Sequence, residues 1–98
     1  MLIIAGAFEV DPGTRDAFIA ERVEMMRASR AEPGCTAYAF TADPIDAGRV
    51  LLFERWESKA ALAAHLEILR DHPPAFAVAP IAAEVLQYEI ATVGPIGS

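Results

Sequence analysis

With 98 residues, 54% of them hydrophobic and 22% charged, the chain suits one small domain carrying more apolar surface than so small a core can hide. The net charge is −6, and Lys59 plus seven scattered arginines are the whole basic complement, so no footprint for nucleic acid or an anionic membrane face is visible. Cys35 is the only cysteine, which excludes an intrachain disulfide, and no uncharged apolar stretch reaches spanning length; the expected location is the cytoplasm.

Leu2 to Val10 is an apolar run closed by Asp11-Pro12-Gly13 and reads as a buried strand ending in a turn. Asp11 before Pro12 also reads as a helix start, an N-cap acceptor followed by proline at the first helical position. The helix is expected from about Pro12 to Glu32, with Phe18, Ile19, Val23, Met25 and Met26 on one apolar arc and Arg22 inside that arc. Pro33-Gly34 ends it.

Cys35 to Thr41 reads as a second strand, with Thr36, Tyr38 and Phe40 on one face and Cys35, Ala37 and Ala39 on the other. A turn-rich loop, Ala42 to Gly48, leads into a third strand, Arg49 to Glu57. There Val50, Leu52, Glu54 and Trp56 share one face, and Leu51, Phe53 and Arg55 share the other. Ser58 caps a second helix, Lys59 to about Arg70, whose apolar arc holds Ala61, Leu62, Leu66, Ile68 and Leu69. Asp71-His72-Pro73-Pro74 breaks it, because prolines remove donors and restrict their predecessors. A short third helix with Phe76 and Val78 buried is expected between Pro73 and Ala83, then a fourth strand from Glu84 to Val93 and a tail from Gly94 to Ser98.

The order β-α-β-β-α-β is the ferredoxin-like arrangement, an α+β fold with a four-stranded antiparallel sheet and both helices on one face. Residues 1–93 form its single domain. The third strand is apolar on both faces, so the face away from the helices needs a cover, and a second copy packed sheet to sheet supplies one.

Candidate chemistry centres on His65, which stands in the middle of the second helix's apolar arc. An imidazole turned inward must find partners, and it is the side chain suited to proton transfer near neutral pH. A satisfied structural histidine is the alternative. Trp56 offers a flat wall and one N–H donor, and Glu54 on the same face is a carboxylate that must be paired or shifted in pKa. If that face meets the second helix, Glu54 accepts the His65 ring proton; pairing with an arginine is the alternative. Arg22 offers positive charge to a phenolate or enolate, or buries its stem and carries its head to water. Tyr38 and Phe40 could line a pocket, and Phe76 is core by default. Cys35 has no evident base. There is no Gly-rich phosphate loop and no G-x-S-x-G, and His65 with His72 lacks the further ligands a metal needs.

Arg30-Ala31-Glu32-Pro33-Gly34-Cys35, Asp43-Pro44-Ile45-Asp46-Ala47-Gly48-Arg49, Phe53-Glu54-Arg55-Trp56-Glu57 and Ala61-Leu62-Ala63-Ala64-His65-Leu66, in that order, resemble the antibiotic biosynthesis monooxygenase family. The resemblance runs from Met1 to about Ile90. It implies a homodimer whose sheets close into an α/β barrel, with a pocket between sheet and helices. It also implies oxygenation of an aromatic small molecule, quinol- or anthrone-like, by O₂ without a bound metal, flavin or other cofactor. His65 would then be the base, with Trp56 and Glu54 beside it and Tyr38, Phe40, Arg22 and Phe76 as substrate contacts. Haem-degrading relatives carry an Asn in the first strand, a Trp at the end of the third strand, which Trp56 matches, and a His in a later helix. Gly6 and Ala7 stand near the first position, and no His lies between Phe76 and Ala82, so that activity is not expected. Isomerisation of an autoinducer-2-type signal and a non-catalytic, stress-response type of ligand-binding barrel are the alternatives.

Overall fold

The computed structural model describes every residue from Met1 to Ser98. The elements are β1 (Leu2–Glu9), α1 (Arg15–Ala20), α2 (Val23–Arg30), β2 (Cys35–Ala42), β3 (Arg49–Trp56), α3 (Lys59–Asp71) and β4 (Ala82–Glu89). The strands form one antiparallel sheet in the order β2-β3-β1-β4, with the helices on one face, the ferredoxin-like arrangement expected.

The expected first helix is two. Arg22 folds back so that its Nη1 donates to the Phe18 carbonyl at 2.8 Å, the acceptor its own N–H would use in a continuous helix. That N–H turns to the Ile19 carbonyl instead, and helical bonding resumes with Met26 N–H to the Arg22 carbonyl. The start also differs. Asp11 does not cap the helix; its carboxylate accepts from Gly13 N–H in a tight turn, and Thr14 holds the N-cap position. Ser58 caps α3 as expected, its hydroxyl accepting from Ala61 N–H.

No third helix forms between Pro73 and Ala83. Pro73, Pro74 and Pro80 have no N–H to give, and the N–H groups of Ala77 and Val78 go to the Glu21 carboxylate at 2.6 and 2.8 Å. Phe76 and Val78 are half-buried rather than core. The last strand pairs earlier than expected, from Ala82.

The core lies between the helices and the β2-β3-β1 part of the sheet. Leu2, Val50, Leu52, Trp56, Tyr38 and Phe40 rise from the strands to meet Phe18 and Leu62. Thr36 does not join Tyr38 and Phe40 on that face: a register shift between Cys35 and Ala37 turns it outward, where its hydroxyl bonds Arg55. On α3 only Leu62 and His65 are fully buried, while Leu66 and Ile68 of the expected arc are exposed on the protomer. The open sheet face presents Phe53, Leu86 and Tyr88, which are 43, 49 and 47% exposed.

Gly34 is the tightest constraint on the α2–β2 turn. Its φ is +83°, in the left-handed region, and a Cβ there would lie 2.6 Å from the Ala61 Cβ on α3. Gly34→Ala should therefore lower stability in urea unfolding by more than the ~1–2 kcal/mol that left-handed backbone costs an L-residue. An unchanged midpoint would show that the turn and α3 do not press together as described.

Candidate functional site

His65 is carried inward by α3 and is 2% exposed. Its ring lies against Trp56, centroids 4.5 Å apart and tilted by 35°, and meets Tyr38 edge-on at 5.5 Å. The partner that makes this burial tolerable is Glu32, whose two carboxylate oxygens lie 3.1 and 3.0 Å from Nδ1. An ionised carboxylate only accepts, so the proton sits on Nδ1 and Nε2 is left as the basic nitrogen. Glu32 reaches this position because the Glu32-Pro33-Gly34 turn folds tightly against α3. The Glu57 N–H bonded to the Gly34 carbonyl at 2.8 Å ties the same turn to the end of β3.

Glu54 does not accept the His65 proton. Its Oε1 takes the Trp56 indole N–H at 3.0 Å and stands 3.9 Å from His65 Nε2, beyond hydrogen-bonding reach. Nor does it pair with an arginine. Burial pushes the Glu54 carboxyl above the usual carboxylate range, against the pull of the Trp56 hydrogen bond and of His65. Burial also raises the Tyr38 phenol strongly, with Glu54 across the strand pair adding to it.

Arg22 is 5% exposed and does not carry its head to water. Its guanidinium carbon sits 3.4 Å from the Phe18 ring centroid and 4.0 Å from that of Phe76, and Phe40 flanks it at 5.7 Å. Phe40 touches Tyr38 edge-on at 6.1 Å. The expected site residues thus form one row under the helices, from His65, Trp56 and Glu54 through Tyr38 and Phe40 to Arg22 and Phe76.

The row is buried on the protomer except at half-buried Phe76. A cleft of about 340 Å³ is lined by Glu32, Gly34, Glu57, Ser58, Ala61 and Ala64, among others, so it touches His65 only through Glu32. A larger one of about 710 Å³ lies at the far end of the sheet, around Phe8, Val10, Arg49 and Ile81. No three His, Cys, Asp or Glu side chains converge closely enough to share a metal ion. Cys35 is half-buried and burial raises its thiol pKa, in keeping with an unreactive side chain.

The sequence places Glu32 at the end of a helix and in the Arg30–Cys35 stretch of the family resemblance, with no role at the site. The available signal was the Pro33-Gly34 turn, which reverses the chain next to the histidine-bearing helix.

A ferredoxin-like α+β domain with a His–Glu pair buried beneath its helices is the class of protein that fold and site define. The antibiotic biosynthesis monooxygenase family model matches residues 1–68, and the chain belongs to that family. An uncharacterised Synechocystis protein is 36% identical over 66 residues, covering 67% of this chain and 45% of that protein, so the chain spans about half the length of the curated relative it matches. A Pseudomonas aeruginosa structure is similar at 28% identity, with a TM-score of 0.71 and 92% and 94% of the two chains covered. A Deinococcus radiodurans structure described as an antibiotic biosynthesis monooxygenase superposes over 100% of both chains with a TM-score of 0.75 at 19% identity, a likeness of fold. No helix is long and apolar enough to cross a membrane.

The raised Glu54 carboxyl gives a pH signature. A carboxyl whose folded pKa exceeds its unfolded value contributes its full stability below the unfolded value and loses it as pH rises through the folded one. Glu54→Gln keeps the acceptor for Trp56 and removes the charge, so its melting temperature should match the wild type near pH 4 and exceed it at pH 8. A gain that is equal at both pH values would mean that Glu54 carries no burial penalty.

Proposed function

We propose that the protein is a cytoplasmic, cofactor-independent monooxygenase of a phenolic aromatic molecule, quinol- or anthrone-like, with His65 as its base. The observation that carries this reading is the bidentate Glu32 contact at His65 Nδ1, 3.1 and 3.0 Å, which leaves Nε2 basic beside an aromatic wall. A guest hydroxyl brought to Nε2 loses its proton there, and the electron-rich ring that results passes one electron to O₂. The organic radical and superoxide join as a C–O bond, and protonation gives a hydroperoxide. Loss of water leaves a carbonyl, so one oxygen atom ends in product and the other in water, and the substrate supplies every electron. In this reading Trp56 and Tyr38 flank the ring and exclude water. Arg22 supplies positive charge at the far end of the row, beyond Tyr38 and Phe40.

The same reading makes the protein a homodimer through its open sheet face. Phe53 and Leu86 flank Ala5 across neighbouring strands, and Arg55 and Tyr88 flank Ile3 in the next row, a broad surface with few charges. Water contact over that area is unfavourable at ~25 cal/mol per Å² of apolar surface, and an identical copy covers it symmetrically. Phe53→Asp should shift light-scattering mass from twice the protomer towards one; a variant that stays dimeric would place the interface elsewhere.

One observation favours a second reading. His65 lines neither large cleft. A ring walled in for good belongs to a ligand-binding or structural barrel rather than to an enzyme. Oxygen uptake with a panel of reduced quinones and anthrones separates the two. His65→Ala should cut turnover by about 10²-fold or more while the dimer stays folded. Glu32→Gln, which no longer fixes the proton on Nδ1, should lower turnover in the same assay. Turnover unchanged in His65→Ala would reject the assigned base.

A further inference from the structure

The segment Pro73–Pro80 has no regular structure; a single side chain takes its hydrogen bonds, and Phe76 on Arg22 and Val78 against the core are its packing contacts. Its backbone makes hydrogen bonds at two places only, Ala77 N–H and Val78 N–H, and both go to the Glu21 carboxylate. Those bonds hold Glu21 well below the usual carboxylate range, Ala77 contributing most, so the carboxylate is ionised when the segment is down. The segment is exposed except at Phe76 and Val78, and Phe76 lies flat enough on Arg22 to put its centroid 4.0 Å from the guanidinium carbon. Beneath it, Arg22 makes one hydrogen bond, Nη1 to the Phe18 carbonyl, with Glu21 at 4.0 Å as its only ion pair. The one side-chain nitrogen sealed without a partner is Arg15 Nε, so the other Arg22 N–H groups are unsatisfied by protein yet not closed off. A guanidinium that is 5% exposed, stacked between two aromatic rings and holding spare donors is a site built for a flat anion.

We infer that Pro73–Pro80 is a lid, that Glu21 is its latch, and that Phe76 occupies the place on Arg22 that an aromatic anion takes when the lid lifts. The inference rests on the reading of this row as the substrate site and names its guest by chemistry, a phenolate or aromatic carboxylate. A ring in the place of Phe76 stacks on the guanidinium, and its oxygen anion accepts the donors that Phe18 leaves free. Lifting the segment bares Arg22 at its end of the row. The two latch bonds are replaceable by water, and Pro73, Pro74 and Pro80 limit the entropy the open segment gains.

The test uses the whole protein, with salicylate as the aromatic anion and benzyl alcohol as its neutral counterpart. Affinity through a closed lid is reduced by the closed fraction. Glu21→Ala and Phe76→Ala should each tighten salicylate binding, on the order of tenfold, and amide exchange at Ala77 and Val78 should quicken in Glu21→Ala. Arg22→Lys should lose the preference for salicylate over benzyl alcohol, with circular dichroism confirming the fold. Salicylate affinity equal in wild type, Glu21→Ala and Phe76→Ala would overturn the lid, as would unchanged exchange at Ala77 and Val78. None of these readouts needs turnover. A latch that controls salicylate in a protein inert towards quinols would sink the oxygenase reading and keep the lid; quinol turnover indifferent to Glu21→Ala would do the reverse.

Discussion

The contact between the Glu32 carboxylate and His65 Nδ1 is the one on which the rest of the site depends. A ring that is 2% exposed draws on the protein for a partner, and Glu32 is that partner at Nδ1, while Nε2 has none within hydrogen-bonding reach. That placement needs three local features together. Gly34 must adopt a backbone that few residues tolerate, α3 must run close enough to touch the turn, and β3 must end where its next N–H holds the turn from the other side. Trp56 then closes over the ring, and its own N–H is taken by Glu54. The result is a tautomer fixed by structure, with Nε2 facing a carboxyl that burial pushes towards its neutral form.

The sheet divides its work by face. On the helical side the strands supply the aromatic row from Trp56 through Tyr38 to Phe40, and α1 and the Glu21–Arg22 junction supply its far end. On the other side the same strands present Phe53, Leu86 and Tyr88. Alternate residues of one strand feed both faces, so Phe53 on the open side stands between Glu54 and Leu52 on the helical side. The helices stop short of β4, whose residues are exposed on both faces apart from half-buried Val85 and are fixed mainly by pairing with β1.

Much of this was legible in the residues. His65 inside an apolar arc indicated an inward imidazole, which the structure has, and the two apolar faces of Arg49–Trp56 are there as well, one under the helices and one open on the protomer. What was hidden came from side chains competing with backbone. Arg22 takes a helical carbonyl and splits one helix into α1 and α2. Glu21 takes two amides and prevents a helix after Pro74. Neither event has a periodic signature: in the first a side chain takes the carbonyl four residues back, and in the second a carboxylate meets amides 56 and 57 residues away. Glu32 was invisible as a partner for the same reason: 33 positions separate it from His65. The bulge that turns Thr36 outward breaks a simple alternation that composition cannot flag.

The central claim is that Glu32 fixes the proton on Nδ1 and leaves Nε2 as the base. Nitrogen-15 NMR of the His65 ring in the whole protein at pH 8 tests it most directly. The geometry predicts a protonated Nδ1 coupled to a carboxylate and a bare Nε2, with the tautomers mixing once Glu32 is changed to Gln. A ring protonated on Nε2 in the wild type, indifferent to that change, would contradict it.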